Sequence, residues 1–358
     1  MNKNSSIAIV AGIAIAIAVI ASVLAFSGIS NDSTPMESPE QANLVPQAEK
    51  ITILTSFYPY HEFTKNVAGD FADVKQFMPN GVEAHDWEPR AQEIQSLKDA
   101  DVFVYNGLGM ESYIENIIES GEFDNVVFLK ASEGIELLKF EDDHDDHAKH
   151  DDHDDHDEHA KEDDHDDHDE HEEGGHDGHD HDYEFDPHIW LDPILVKQQV
   201  NVIRDGLIQV DPDNKEHYEE NARIYNDKLD ALDMKIGSAL SSCQKDTIVP
   251  YHNAFTYLGE RYDIHIMALG GMAPDSEASA AEIAEFVDFV KDNDIKVIFS
   301  EELVDPRLAE VIAEEANAQV LLFSPLEALS KDEAGTNVSY IDKMEDNLDS
   351  LKVALECQ

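Results

Sequence analysis

Between Glu141 and Asp182 the chain carries 23 acidic residues and 12 histidines against two lysines, Lys149 and Lys161. A stretch of that composition cannot bury enough apolar surface to offset the entropy of ordering it. It therefore predicts a disordered insert, and the fold has to be built from the sequence on either side. The insert holds −21 of the formal net charge of −55, which leaves −34 on the rest of the 358 residues. No basic stripe occurs, which excludes nucleic-acid binding by phosphate neutralisation. The residual acidity suits a protein kept soluble in saline surroundings or one that attracts cations. A hydrophobic fraction of 42% is enough for real cores outside the insert, and the length suggests two compact units.

Ile7 to Ile29 runs without a charge, long enough to span a bilayer, and Val23-Leu24-Ala25 passes as a cleavage site. Residues 1–30 are thus expected to be a membrane anchor or a signal peptide. Lys3 lies before the run, and Asp32, Glu37 and Glu40 follow it, which predicts that the body is exported. No Cys follows the run, so a bacterial-type lipid anchor is not expected. Residues 31–49, rich in Ser, Pro, Asn and Glu, read as a flexible tether. Outside the cell Cys243 and Cys357 can pair, tying the C-terminus to the start of the second half; two separate thiols are the alternative.

From Ile51 onward short β-branched runs alternate with helical segments. Strands are expected at 51–54, 74–78, 101–105 and 126–129, with helices at 90–98 and 111–120. After the insert, Asp192-Pro193 starts a helix to about Val210, and Asp211-Pro212-Asp213 breaks it. A longer helix follows, with Tyr218, Ala222, Tyr225, Leu229, Leu232, Ile236 and Leu240 forming one apolar stripe. Strands at 247–250, 264–269, 296–299 and 320–323, alternating with helices at 254–262, 279–293, 306–317 and 340–355, repeat the first pattern. The expected class is α/β. Two lobes with parallel sheets, 50–193 (including the insert 141–182) and 244–358, are joined by rigid connecting helices over 194–243. A ligand would sit between the lobes at the C-terminal ends of the strands.

Histidine recurs in the insert at nearly every third position: His144, His147, His150, His153, His156 and His159, then His165, His168 and His171, then His176, His179 and His181. Solvation alone does not require that, whereas imidazole interleaved with carboxylate suits borderline divalent metals, so multi-site, weakly selective metal capture is expected there. Outside the insert His85, His188 and His252 each stand at a loop or strand end, where ligands are displayed, and Glu301 directly follows the strand Val297-Ile298-Phe299. Three imidazoles and one carboxylate make a tetrahedral zinc site. His61, His217 and His265 have no such setting and read as structural or surface residues. Trp87 and Trp190, each two residues beyond a candidate ligand, are expected to pack loops under the site.

The strings Gly81-Val82-Glu83-Ala84-His85-Asp86-Trp87-Glu88-Pro89, Asp186-Pro187-His188-Ile189-Trp190-Leu191-Asp192-Pro193, Tyr251-His252-Asn253-Ala254-Phe255 and Ile298-Phe299-Ser300-Glu301-Glu302 resemble, in order, those of zinc/manganese ABC-transporter solute-binding proteins. The resemblance runs from about Ile51 to the C-terminus, and the His-rich insert is similar to the loop of zinc-specific members. It implies that His85, His188, His252 and Glu301 hold the metal, with an ABC permease and its ATPase as partners and a monomeric receptor on the outer face of the membrane or free after export. His252 stands where manganese-type members tend to carry Glu, so the resemblance implies Zn(II) as the transported ligand ahead of Mn(II). The residue before His85 is Ala84 where some zinc members carry Glu, which leaves the fourth ligand open between Glu301, Glu83 and water.

Three other readings remain: a manganese receptor of the same family, an extracellular zinc buffer acting through the insert, and a zinc hydrolase with Asp86 or Glu83 as base. No His-Glu-x-x-His motif is present for the last, and no enzyme activity is expected.

Overall fold

The computed structural model describes residues 50–139, 184–271 and 279–358. The apolar run, the tether and the insert, with every expectation placed on them, lie outside the described residues. No helix among those described is long and apolar enough to cross a membrane.

The first sheet comprises β1 (Ile51–Thr55), β2 (Ala72–Gln76), β3 (Val102–Tyr105) and β4 (Val127–Lys130), all parallel in the order β2-β1-β3-β4. Crossovers are made by α1 (Tyr58–Ala68), α2 (Ala91–Ser96) and α3 (Ile114–Glu119). Val102, Phe103 and Val104 are buried, as an inner parallel strand covered on both faces requires. Strand β2 starts and ends two residues before the expected 74–78. Phe77 and Met78 still donate to Thr55 O and Ser56 O, at 2.8 and 3.0 Å, as the chain peels away toward His85.

In α4 (Pro193–Val210) the Asp192 side chain accepts from Ile194 N and Leu195 N, and Pro193 occupies the first turn, where its missing N–H costs nothing. Gly206 lets α4 press on the sheet, because a Cβ there would come within 2.5 Å of Leu129. The long helix α5 (Lys215–Leu240) buries Tyr218, Ala222, Tyr225, Leu229, Leu232 and Ile236, six of the seven stripe residues. Its 26 residues extend about 39 Å at 1.5 Å per residue.

The second half contains β5 (Thr247–Ile248), α6 (Thr256–Tyr262), β6 (His265–Ile266), α7 (Ala280–Asp292), β7 (Val297–Ser300), α8 (Arg307–Ala316), β8 (Gln319–Leu322) and α9 (Tyr340–Ala354). β5 pairs with β6 and β7 with β8, both parallel. The Phe299 N–H donates to Val249 O at 2.9 Å and joins the two pairs, so the order β6-β5-β7-β8 repeats that of the first sheet.

Helix α5 is fastened at both ends. Near its start His217 stacks on Phe71 at 3.8 Å and Asn221 donates to Val67 O at 3.0 Å. Near its end Asp233 accepts from Tyr262 OH at 3.1 Å and Lys235 pairs with Glu345 on α9 at 2.7 Å. One hydrophobic cluster runs from Ile53 and Val102 through Tyr225 and Leu229 to Phe299, Phe323 and Leu351. A core continuous across both sheets resists large rigid-body opening, because its packing would have to break first.

Cys243 and Cys357 form a disulfide across a sequence separation of 114, beside the Gln244 and Lys245 N–H groups that donate to Leu355 O at 3.0 and 3.1 Å. Closing so long a loop restricts the unfolded chain, and replacing both cysteines by Ser is expected to cost about 2–4 kcal/mol in denaturant melts of the oxidised protein. An unchanged melt would show that the bond carries no stability.

Candidate metal centre

Each loop of the centre leaves the C-terminal end of a parallel strand or enters a helix start, where the backbone turns and side chains point into the crevice. His85 follows β2 after the turn Pro79-Asn80-Gly81. Gly81 has φ +74, and its N–H donates to Leu329 O at 2.8 Å, stitching the His85 loop to the chain beyond β8. His188 precedes α4. Its loop is fixed by the Asn106 amide on Pro187 O (3.0 Å) and by the Tyr257 hydroxyl on Asp186 O (2.9 Å). His252 follows β5, and Glu327 follows β8.

Three imidazoles and one carboxylate converge: His85, His188, His252 and Glu327 offer donor atoms that all lie within 4.8 Å of one another. His85 Nε2 is 3.3 Å from His188 Nε2 and 3.3 Å from Glu327 Oε1, and the Nε2 atoms of His188 and His252 are each 3.5 Å from that oxygen. Zinc held tetrahedrally at about 2.0–2.1 Å requires donor–donor edges of about 3.3–3.4 Å. The two edges at His85 match that figure and the two from His188 and His252 to Glu327 are slightly longer, so the four donors stand close to the spacing a bound zinc would impose. Among the described residues His252 Nε2 is buried with only the distant Glu327 oxygen, at 3.5 Å, beside it, a poor solvation that a bound cation would improve.

Two of the imidazoles are oriented in the same manner. Asp186 Oδ1 accepts from both His188 Nδ1 (2.8 Å) and His188 N (2.9 Å), and Glu301 Oε1 accepts from both His252 Nδ1 (2.7 Å) and His252 N (3.2 Å). A carboxylate on Nδ1 fixes the tautomer that leaves Nε2 to a metal and raises its basicity. The structure therefore places Glu301, the carboxylate expected in the ligand set, behind His252, and brings Glu327 to the converging atoms. Glu83 is also outside the group. Its carboxylate oxygens accept from His85 N (3.1 Å) and Asp86 N (3.0 Å), and burial, with Glu327 beside it, pushes its carboxyl up to about 9.

Glu327 escaped the sequence reading because it stands five residues beyond β8 rather than at the strand end. Leu326 takes a left-handed backbone (φ +59), which a non-glycine residue adopts only when its surroundings compel it. Its N–H donates to Ser324 Oγ at 3.1 Å, and Asn347 of α9 holds Ser324 by its N–H (2.8 Å) and its C=O (2.7 Å). That clamp turns Glu327 inward. The one available signal was a carboxylate shortly after the last strand.

Burial works against charge on Glu327, yet the three imidazoles hold its carboxyl well below the usual range. Burial also opposes a proton on His188 and His252, but Asp186 and Glu301, with Glu327 behind both, raise the two imidazoles. For His85 burial prevails and its imidazole is lowered.

The remaining sequence candidates lie elsewhere. His61 is half-buried in α1, and desolvation, with Lys65 nearby, lowers its imidazole to about 4. His217 stacks on Phe71 and His265 is exposed on β6. Trp190 braces the site: its Nε1–H donates to Pro325 O at 2.7 Å, two residues before Glu327, and its carbonyl accepts from Tyr340 OH at 2.8 Å. Trp87 packs edge-on against Phe77 and Tyr113, both at 5.5 Å.

Residues 53–354 match the model of the family described as the zinc-uptake complex component A, periplasmic (ZnuA). The chain belongs to this family. It is a family of uptake-complex components, not of enzymes. The high-affinity zinc uptake system protein ZnuA of Bacillus subtilis is 36% identical over 310 residues, covering 86% of this chain and 89% of that protein. The zinc-binding lipoprotein AdcA of Streptococcus pneumoniae is 37% identical over 307 residues, 85% of this chain, which spans 55% of AdcA's length. Among solved structures, the Zn(II)-bound ZnuA-like domain of that AdcA superposes with a TM-score of 0.68 at 34% identity, covering 86% of this chain and all of that one. The metal-dependent lipoprotein YcdH of Bacillus subtilis gives 0.67 at 34% identity, over 86% of this chain and 99% of that one. The family is thus built as two α/β lobes with a long helix, as the repeated strand order here already indicates.

Proposed function

We propose that this protein is the exported zinc receptor of a metal ABC importer. Zn(II) is its cargo, taken by the Nε2 atoms of His85, His188 and His252 and by Glu327, and handed to a permease served by an ATPase. The observation that carries this reading is the convergence of four buried donors, three imidazoles and one carboxylate, within 4.8 Å of one another. Three nitrogens favour Zn(II) over Mn(II), which prefers carboxylate, carbonyl and water. Glu301, placed in the ligand set by resemblance, is here the carboxylate that orients His252. The lobes 50–193 and 244–358, bridged by α4 and α5, would each contribute two donors, and the receptor would act as a monomer held at the membrane by its N-terminal segment or released after export. The histidines of the insert would gather zinc nearby.

The test is a titration of protein lacking residues 141–182 with Zn²⁺ and Mn²⁺ against a competing chelator. One tight zinc equivalent, with manganese much weaker, is expected. Tighter manganese would reverse the metal, and loss of all tight binding would give the function to the insert as a buffer.

Acid should weaken this site. Zinc needs both Nε2 atoms free, yet in the metal-free site His188 and His252 keep their protons to higher pH than an ordinary imidazole. Binding then releases about two protons, so affinity is expected to fall by up to about 100-fold per unit of acidification through and below neutrality, and to level off above the raised imidazole range. Chelator competition at several pH values measures the slope. A flat profile would mean that the imidazoles are not the ligands.

A further inference from the structure

The three imidazoles have no exposed side-chain surface and Glu327 retains 5%, so a metal ion must have a defined way through the protein. Two openings approach the centre. The larger groove, beside α6 and β6, reaches Asp186 and Asn253. Asp186 bonds His188 Nδ1 and so stands between that groove and the Nε2 side, where the donors converge. The second is a narrow crevice of about 10 Å³, room for about one water, between the loops after β7 and β8, lined by Glu83, Glu301, Glu302 and Glu327. Of these two, it is the one that reaches a converging donor, Glu327.

Resting on the zinc reading above, we propose that the metal enters and leaves through this crevice, and that Leu303 and Val304 form the lip that limits its passage. The charge that draws a divalent cation inward comes from Glu301 and Glu327 at the crevice's inner end, since Glu83 holds its proton and Glu302 is paired with Lys343. Leu303, Val304 and Pro325 line the crevice together, and both loops are tied to the body. Pro325 O is held by the Trp190 indole, and the Glu302 carboxylate is held by Lys343, whose ammonium also pairs with Glu333 at 2.8 Å. A narrow mouth between fixed walls sets rates without touching the bound state. Lip substitutions should therefore change association and dissociation together and leave their ratio alone.

The experiment is stopped-flow mixing of the full chain with Zn²⁺ alone, followed by displacement with excess chelator. It is read through Trp87 and Trp190, the only two tryptophans, neither of which lies in the insert. Leu303→Ala is expected to raise both rate constants by about tenfold, and Val304→Phe to lower both by about tenfold, with Kd within about threefold of wild type in each. Rates within twofold of wild type in both variants, or a change confined to dissociation, overturn the route while leaving the zinc site standing. A wild-type chain with no tight zinc signal overturns the site itself, and the route with it.

Discussion

Glu327→Ala is expected to weaken zinc binding by about two to three orders of magnitude, and Glu301→Ala by about one to two. A structural zinc site is worth about 10–16 kcal/mol. Shared among four donors, that is about 2.5–4 kcal/mol each, or about two to three orders of magnitude. Glu301 acts through the ring it orients, and removing such an outer carboxylate typically costs about 10- to 100-fold. Amide substitutions separate the roles further. Gln at 301 can still accept from His252 Nδ1 and should recover most of the affinity, whereas Gln at 327 loses the anionic donor and should stay close to Ala. Chelator competition on the four variants measures the order. Equal losses at both positions, or a larger loss at 301, would return Glu301 to the ligand set.

Trp190→Ala should destabilise the fold by about 3–5 kcal/mol, the range for emptying a fully buried aromatic site. The indole is wholly buried, meets Phe57 edge-on at 5.1 Å and Tyr60 at 6.5 Å, and lies 5.1 Å from the His188 ring. Its N–H is the tie between the chain next to His188 and the loop of Glu327. The loss should therefore appear twice, in denaturant melts of the metal-free protein and in zinc affinity. Trp190→Phe refills much of the volume but leaves Pro325 O without its donor, at about 1–3 kcal/mol. A Trp190→Ala variant with wild-type stability would mean that the two loops are held independently of it.

The fold was legible where one physical signal dominated. The stripe from Tyr218 to Ile236 has helical spacing and is buried as one face, and the β-branched runs at 51–54 and 297–299 sit in parallel sheets. Strand ends were less legible. β5 and β6 are two-residue strands where four to six residues were expected, because pairing there gives way to the loops that build the site. Three of the four converging donors could be read from histidines displayed at loop or strand ends. The fourth could not. Strand-end reasoning selects Glu301, which the structure directs sideways onto the neighbouring His252 loop, while Glu327 depends on a left-handed leucine and on Asn347, neither of which has a local sequence signature. The disulfide was open in the sequence because pairing depends on the distance between chain segments 114 residues apart.

The most direct measurement is anomalous diffraction at the zinc edge from zinc-loaded crystals of protein lacking residues 141–182. A single strong peak is expected about 2.0–2.2 Å from the Nε2 atoms of His85, His188 and His252 and from a Glu327 carboxylate oxygen, with Glu301 still on His252 Nδ1. A peak bonded to Glu301 with Glu327 turned away, or no peak at this centre in protein that still carries zinc, would contradict the account.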